Sequence, residues 1–189
     1  MKTRLGIIGC GQLSQMLGEA ANRLGVTVSF LCLDETPVVQ GLGRIFHSDE
    51  LDEFLLSCDA ITVERESIPD SILQRATNEV GLAPAYQALV TLRERDTQKA
   101  LLDQLNIPTS PWRRVDTPVE LPAARTELGS PHVRCKRILG GYDGGGQWRI
   151  DDQASMAAIP QGGYPLIAEA EIDIERELAI IIARDASGS

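Results

Sequence analysis

Over the first 84 residues, apolar and polar positions fall into alternating blocks of two different periods. LGIIG (5–9) is a short apolar run closed by glycine, the pattern of a strand buried on both faces. QLSQMLGEAANRLG (12–25) then sets Leu13, Met16, Leu17, Ala20, Ala21 and Leu24 on one helical face, predicted to face the core, and stops at Gly25. VTVSFLCLD (26–34) is rich in β-branched and aromatic residues and predicts a second strand. RIFHSD, the helical run LDEFLLSC and DAITVE (59–64) continue the alternation, and a helix starts near IPDSILQRA (68–76) with Pro69 in its first turn. The order β-α-β-α-β predicts a Rossmann-like parallel sheet with helices on both faces.

Beyond residue 84 the pattern changes. AYQALVTLRERDTQKALLDQLNIP (85–108) predicts a long, broken helical stretch ended by Asn106 and Pro108. TPVE (117–120) reads as a capping box with Thr117 as N-cap, Pro118 at the first helical position and Glu120 reaching back. HVRCKRI (132–138), QWRID (147–151), PLIAEAEI (165–172) and ERELAIIIARD (175–185) all read as strands. The expected division is a Rossmann-like domain over 1–84, connecting helices over 85–109 and a small α+β domain over 110–189.

Composition narrows the function classes. The 189 residues are 43% hydrophobic and carry a net charge of −9, which argues against a surface that tracks nucleic-acid phosphates. No apolar run approaches the ~20 residues that cross a bilayer, and the N-terminus lacks a signal-peptide core, so a cytoplasmic protein without membrane partners is expected. Cys10, Cys32, Cys58 and Cys135 are widely spaced and read as buried thiols. His47 and His132 are isolated, so local spacing assembles no zinc site. Lysine occurs only at Lys2, Lys99 and Lys136.

Two glycine stretches carry candidate chemistry. Gly9-Cys10-Gly11 stands between a strand and a helix, where free backbone amides at the positive end of the helix dipole suit a phosphate. The dinucleotide fingerprint G-x-G-x-x-G breaks at Ser14, while Asp34 stands where a ribose-binding acid would. Phosphate binding, an NAD site and a purely structural turn all remain open on these residues. GGYDGGGQ (140–147) has five glycines in eight positions between two strand-like runs that carry Arg134, Lys136, Arg137 and Arg149. Such a hairpin loop can curl its amides around phosphate oxygens, with lysine adding a point charge, although a solvated flexible tip has the same composition. Glu169, Glu171, Asp173, Glu175 and Glu177 would share one strand face, and Glu169 follows the buried-looking PLIA.

GxGQL with a following Met, the E-x-E-x-I-P run at Glu64–Pro69, RDTQK at 95–99 and K-R-x-x-G-G-Y-D-G-x-G-Q together resemble the 5-(carboxyamino)imidazole ribonucleotide synthases. These are ATP-grasp enzymes of purine biosynthesis, also called the ATPase subunit of phosphoribosylaminoimidazole carboxylase, a name that groups a ligase with lyases. The resemblance implies a pre-ATP-grasp sheet followed by an ATP-grasp lid. It implies ATP and magnesium as cofactors, and 5-aminoimidazole ribonucleotide and bicarbonate as substrates joined through carboxyphosphate. Carried over by position, Arg95 and Lys136 contact ATP phosphates, and Gly141, Tyr142, Asp143, Gly144, Gly145, Gly146 and Gln147 form the loop that covers them. Glu169, Ala170, Glu171 and Ile172 hold adenine and Glu177 the ribose. Gly11, Gln12, Leu13 and Glu66 face the imidazole nucleotide, and Tyr142 and Asp143 the carboxyl-transfer step. The glycines then serve a lid that excludes water while an unstable acyl phosphate forms.

Three departures from the family pattern bear on activity. Gly145 replaces a usual Arg or Lys, and Gln15 in GQLSQM stands where a basic residue is common. Both changes remove preorganised positive charge near anionic ligands. The sequence also stops at IIIARDASGS, before the family's magnesium ligands and carboxy-terminal domain, so no metal ligand is expected in this chain and weak turnover is. A homodimer is implied for full-length members. The rival readings are a formate-using purine transformylase, a non-catalytic nucleotide-binding fragment and an NAD-dependent dehydrogenase, the last leaving 132–177 unexplained.

Overall fold

The computed structural model describes residues 3–33, 36–140 and 145–182. The chain divides into two compact units, Met1–Leu105 with Ile138–Gly140, and Asn106–Arg137 with Gly141–Ser189.

The first unit is built on four parallel strands, β1 (Arg4–Ile8), β2 (Thr27–Cys32), β3 (Arg44–His47) and β4 (Ala60–Val63), in the order β3-β2-β1-β4. Helix α1 (Gln12–Arg23) follows β1, α2 (Leu51–Leu56) precedes β4, and α3 (Asp70–Glu79) follows it. The long helical stretch is two helices, α4 (Tyr86–Arg93) and α5 (Arg95–Gln104), broken where Glu94 turns to extended backbone. Strand alternation divides the core between the two sheet faces. Ile7, Val28, Phe30 and Cys32 pack with Ala21 of α1, while Ile8, Leu31 and Phe46 pack with Phe54, Leu73 and Leu89 of the other helices.

Helix α1 presents a different face to the sheet from the one its apolar residues predict. Ser14, Gly18 and Ala21 are buried, whereas Met16 is 62% and Leu24 82% exposed. The cause is proximity. A Cβ on Gly18 would lie 2.7 Å from the Phe30 ring, so the helix approaches β2 closely enough that only small residues fit beneath it.

The cysteines also depart from expectation. All four are buried, but Cys10 and Cys32 form a disulfide between the end of the β1–α1 turn and the end of β2, with Cα atoms 5.3 Å apart. Cys58 and Cys135 remain free thiols. Burial pushes the Cys135 thiol up to about 12.

The second unit is an antiparallel sheet of β5 (Trp112–Val115), β6 (Val133–Arg137), β7 (Gln147–Ile150) and β8 (Leu166–Ala170), in the order β5-β8-β6-β7. Helix α6 (Leu121–Leu128) and the short α7 (Gln153–Met156) accompany it. Val115, Val133, Cys135, Ile150 and Leu166 face a core shared with Leu121 and Ala124 of α6. The alternate residues form the opposite, polar face. In the Thr117–Glu120 turn, Glu120 accepts from the Asp116 amide at 3.0 Å and the Thr117 hydroxyl at 2.8 Å, so the acid reaches back one residue further than the capping-box pattern predicts.

The strand expected over 175–185 does not form among the described residues, which extend to Ile182. Ile180, Ile181 and Ile182 have the apolar, β-branched character of a strand but are exposed. Propensity describes what a residue contributes to a pleated, packed surface, and no neighbouring strand among the described residues supplies that surface.

Candidate functional site

On the polar face of the second unit, alternation along β6 directs Arg134 and Lys136 to the same side, while their neighbours Val133 and Cys135 enter the core. The antiparallel register sets Lys136 beside Gln147 on β7 and Arg134 beside Glu169 on β8. These residues border a cavity of about 460 Å³, with Glu171 and Glu177 contributing from the segment after β8. The size falls within the range of small-molecule sites, roughly 300–1,000 Å³.

Lys136, Glu169, Arg134 and Glu171 are all paired within this cavity. The Lys136 ammonium donates to Glu169 Oε2 at 2.8 Å, and the Ser110 hydroxyl donates to the same oxygen at 3.1 Å. Glu169 is 8% exposed, so this acid is held inside the sheet rather than on a solvated strand face. Glu171 accepts from Arg134 Nη2 at 2.7 Å and from Arg149 Nε at 2.9 Å. The Arg134 guanidinium holds the Glu171 carboxyl below the usual carboxylate range, aided by Arg149. Backbone amides along this segment serve the sheet: Ala170 donates to the Pro111 carbonyl at 2.9 Å and Glu171 to that of His132 at 3.1 Å.

Of the residues predicted from sequence, Lys136, Gln147, Glu169, Glu171 and Glu177 come together here, along with Ala170 and Ile172. Gly145 is exposed, and Gly146 has φ +69° and accepts from the Arg137 amide at 2.9 Å, closing the base of the hairpin. Gly141, Tyr142, Asp143 and Gly144 lie outside the described residues, as does Asp34. Arg95 belongs to the first unit, where its guanidinium donates to the Gly140 carbonyl at 2.5 Å and its amide to that of Ile138 at 3.1 Å. Ser110 and Arg134 were not assigned a site role from sequence. Strand alternation with Lys136 is the signal that finds Arg134, whereas nothing local marks Ser110.

The first glycine pair, Gly9 and Gly11, stands at the start of α1 in the first unit. There the Glu64 carboxylate, just past β4, accepts from the Gly11 amide at 2.9 Å, the Leu13 amide at 3.2 Å and the Ser14 hydroxyl at 2.8 Å. A Cβ on Gly9, which has φ +128°, would lie 2.5 Å from the Glu64 Cβ, and one on Gly11 would lie 2.6 Å from Glu64 Oε1. The turn is glycine-rich because a carboxylate sits against it, and that carboxylate neutralises the helix N-terminus. Ser14, which interrupts the dinucleotide fingerprint, is one of its ligands. Glu66 lies in the bend that follows, and Gln12 begins the helix.

Comparison with known proteins joins the two units. A profile of the ribonucleotide synthetase preATP-grasp domain matches residues 1–93, and one of the ATP-grasp domain matches residues 100–189. The two matches together take in nearly the whole chain, as a preATP-grasp domain followed by an ATP-grasp domain. It is 36% identical over 195 residues to the N5-carboxyaminoimidazole ribonucleotide synthase of Brucella melitensis, covering 98% of this chain and 54% of that one. The Staphylococcus aureus N5-carboxyaminoimidazole synthetase complexed with ADP superposes with a TM-score of 0.83 at 26% identity, covering 93% and 49% of the two chains. The Aspergillus clavatus N5-carboxyaminoimidazole synthase, solved with ADP and 5-aminoimidazole ribonucleotide, gives 0.76 at 26% identity, covering 92% and 48%. The chain thus spans about half the length of the relatives it matches. Among its described residues, no helix is long and apolar enough to cross a membrane.

Proposed function

We propose that this chain carries the nucleotide-binding lid and a substrate-binding sheet of an ATP-grasp ligase that carboxylates 5-aminoimidazole ribonucleotide. One observation carries the reading: Lys136, Gln147, Glu169 and Glu177, four residues with nucleotide roles by resemblance, border one cavity beside the glycine hairpin. In this reading ATP transfers its terminal phosphoryl group to a bicarbonate oxygen, giving ADP and carboxyphosphate. The exocyclic amine of the imidazole nucleotide then takes the carboxyl carbon, and phosphate leaves. The product is a new carbon–nitrogen bond, which is ligase rather than lyase chemistry and accords with the synthase and synthetase names of the relatives.

Lys136 exchanges its Glu169 partner for nucleotide phosphate, leaving Glu169 and Glu177 to accept from the base and sugar. Arg95 serves the phosphates, and Gly141, Gly144, Gly145 and Gly146 let the hairpin close over them. Tyr142 and Asp143 serve the transfer step. Gly11, Gln12, Leu13 and Glu66 receive the imidazole nucleotide, whose phosphate must compete with Glu64 for the Gly11 and Leu13 amides. Magnesium bound to ATP would act as a Lewis acid on the phosphoryl oxygens. Among the described residues no group of three His, Cys, Asp or Glu side chains could hold a metal ion. The same reading divides the chain at 84 and 109, locates the protein in the cytoplasm and pairs full-length protomers as a homodimer.

The test is calorimetric titration of the chain with ADP. The expected outcome is saturable binding that Lys136→Ala weakens at least tenfold. ADP binding indifferent to Lys136→Ala would refute the site. Bicarbonate-dependent ADP release, with none from formate, identifies the acid that is phosphorylated. Formate dependence would refute it.

A further inference from the structure

Arg134 borders the same cavity as Lys136, yet its charge is already balanced by Glu171, to which its Nη2 donates at 2.7 Å. Its position along the strand separates it from the phosphate end. Lys136 is one residue from the end of β6 that leads into the glycine hairpin, and Arg134 lies two residues further back on the same face, roughly 6.7 Å away. That spacing is on the scale that separates a nucleotide's first phosphates from its base. Arg134 is also level with Glu169 in the register and bonded to Glu171, within the segment read as holding the base.

Its orientation is restrained as well. The guanidinium edge donates to Glu171 Oε1 at 2.7 Å, and Glu171 is fixed from its other oxygen by Arg149 at 2.9 Å. A carboxylate engages a guanidinium in its plane and leaves the two flat faces uncovered. Those faces are weakly hydrated and stack well on π-systems. Ile172 and Ile174, both exposed, border the cavity too and offer apolar contact to a flat ring. A phosphate ligand is better served by a compact point charge beside the hairpin, which is where Lys136 stands, one residue from the end of β6.

We propose that Arg134 is the base-stacking residue of this nucleotide site, its guanidinium held flat by the Glu171–Arg149 pair. The inference rests on the nucleotide reading of the cavity given above, and it sets selection for a purine ring on a residue distinct from the phosphate contact. Glu171 and Arg149 are positioning residues in this arrangement.

The experiment titrates the full 189-residue chain with ADP and, separately, with inorganic tripolyphosphate, which has the charge without the base. Arg134→Met keeps the length of the side chain but removes its plane and charge. It is expected to weaken ADP about five- to tenfold while changing tripolyphosphate less than about twofold. Arg134→Lys, which keeps the charge, is expected to weaken ADP to a similar extent, and Glu171→Gln about threefold through lost orientation. Circular dichroism melting of each variant verifies that the fold is retained. Equal weakening of both ligands by Arg134→Met would make Arg134 a phosphate contact and overturn the proposal, as would no weakening of either. If Lys136→Ala abolishes ADP binding while Arg134→Met leaves it intact, the stacking inference fails and the nucleotide site stands. If ADP binds without regard to Lys136, or does not bind the wild-type chain, both fail.

Discussion

Glu64→Ala tests the reading of the first glycine pair as a carboxylate seat. The substitution removes one acceptor group from two backbone amides and a buried hydroxyl, at 2.9, 3.2 and 2.8 Å. A hydrogen bond to a charged group contributes about 1.5–3 kcal/mol, and an anion at a helix N-terminus about 0.3–1 kcal/mol. These contributions share one carboxylate and do not add, and water can reach the Leu13 amide at the exposed start of the helix. The expected destabilisation is therefore about 3 kcal/mol, the greater part from the Gly11 amide and the buried Ser14 hydroxyl. Glu64→Gln keeps the shape and one acceptor oxygen but turns an amide N–H₂ toward donors, with an expected cost of about 1.5 kcal/mol. Urea unfolding followed by circular dichroism measures both. With a slope of about 2 kcal/mol/M, the Ala midpoint falls by about 1.5 M. Trp112 and Trp148 are the chain's two tryptophans and both belong to the second unit, so their fluorescence reports whether the effect is confined to the first. An Ala midpoint shift below about 0.5 M at unchanged slope would show that water replaces the carboxylate freely and that Glu64 is incidental to the turn.

The same structure sets four further outcomes. Gly11→Ala would bring a Cβ to 2.6 Å from Glu64 Oε1 and should destabilise the first unit by about 1–3 kcal/mol in the same unfolding assay. Thiol titration in denaturant without reductant should count two thiols, Cys58 and Cys135, and four after reduction; reduction should cost the fold about 3 kcal/mol, from the 22-residue separation that the Cys10–Cys32 link closes. In the native chain at pH 8, Cys135 should resist alkylation, since burial pushes its thiol up to about 12. Asp59, Asp70 and Glu171 are all held below the ordinary carboxylate range, chiefly by hydrogen bonds from Arg4, Arg93 and Arg134 respectively. A depressed carboxyl contributes stability above its unfolded value, near 4, and loses it as pH falls through the folded value. The urea midpoint should thus hold from neutral pH to about 5 and decline below it; a midpoint that rose on acidification would contradict these pairings.

Much of the architecture is legible in the residue pattern because it depends on burial on both faces of a sheet. LGIIG, VTVSFLCLD and DAITVE each contain a strand of the parallel sheet, and the basic runs around the glycine loop form a hairpin in the register that brings Lys136 to Gln147. The cysteine pair is not legible. Cys10 and Cys32 are 22 residues apart, and only the parallel pairing of β1 with β2 brings their ends together. The glycines at 9 and 11 are legible as a place of close approach, but their spacing does not tell a bound phosphate from an internal carboxylate. That identity resides in Glu64, more than 50 residues away in sequence.

Helix α1 shows why hydrophobic periodicity can select the wrong face. The rule that apolar residues point inward assumes that helix and sheet are separated by full-sized side chains. Where Gly18 lets the helix settle onto Phe30, the buried face is the one with the least side-chain volume, and the larger apolar residues are turned outward. The same seating explains Ser14. A small hydroxyl residue fits the close interface and can donate to Glu64, whereas a leucine at that position would both clash and remove one of the carboxylate's three donors. Position 14 is thus set by two demands at once, close packing and an acceptor to satisfy. Neither demand is a matter of hydrophobic period, so a reading based on period assigns the position to the wrong side of the helix.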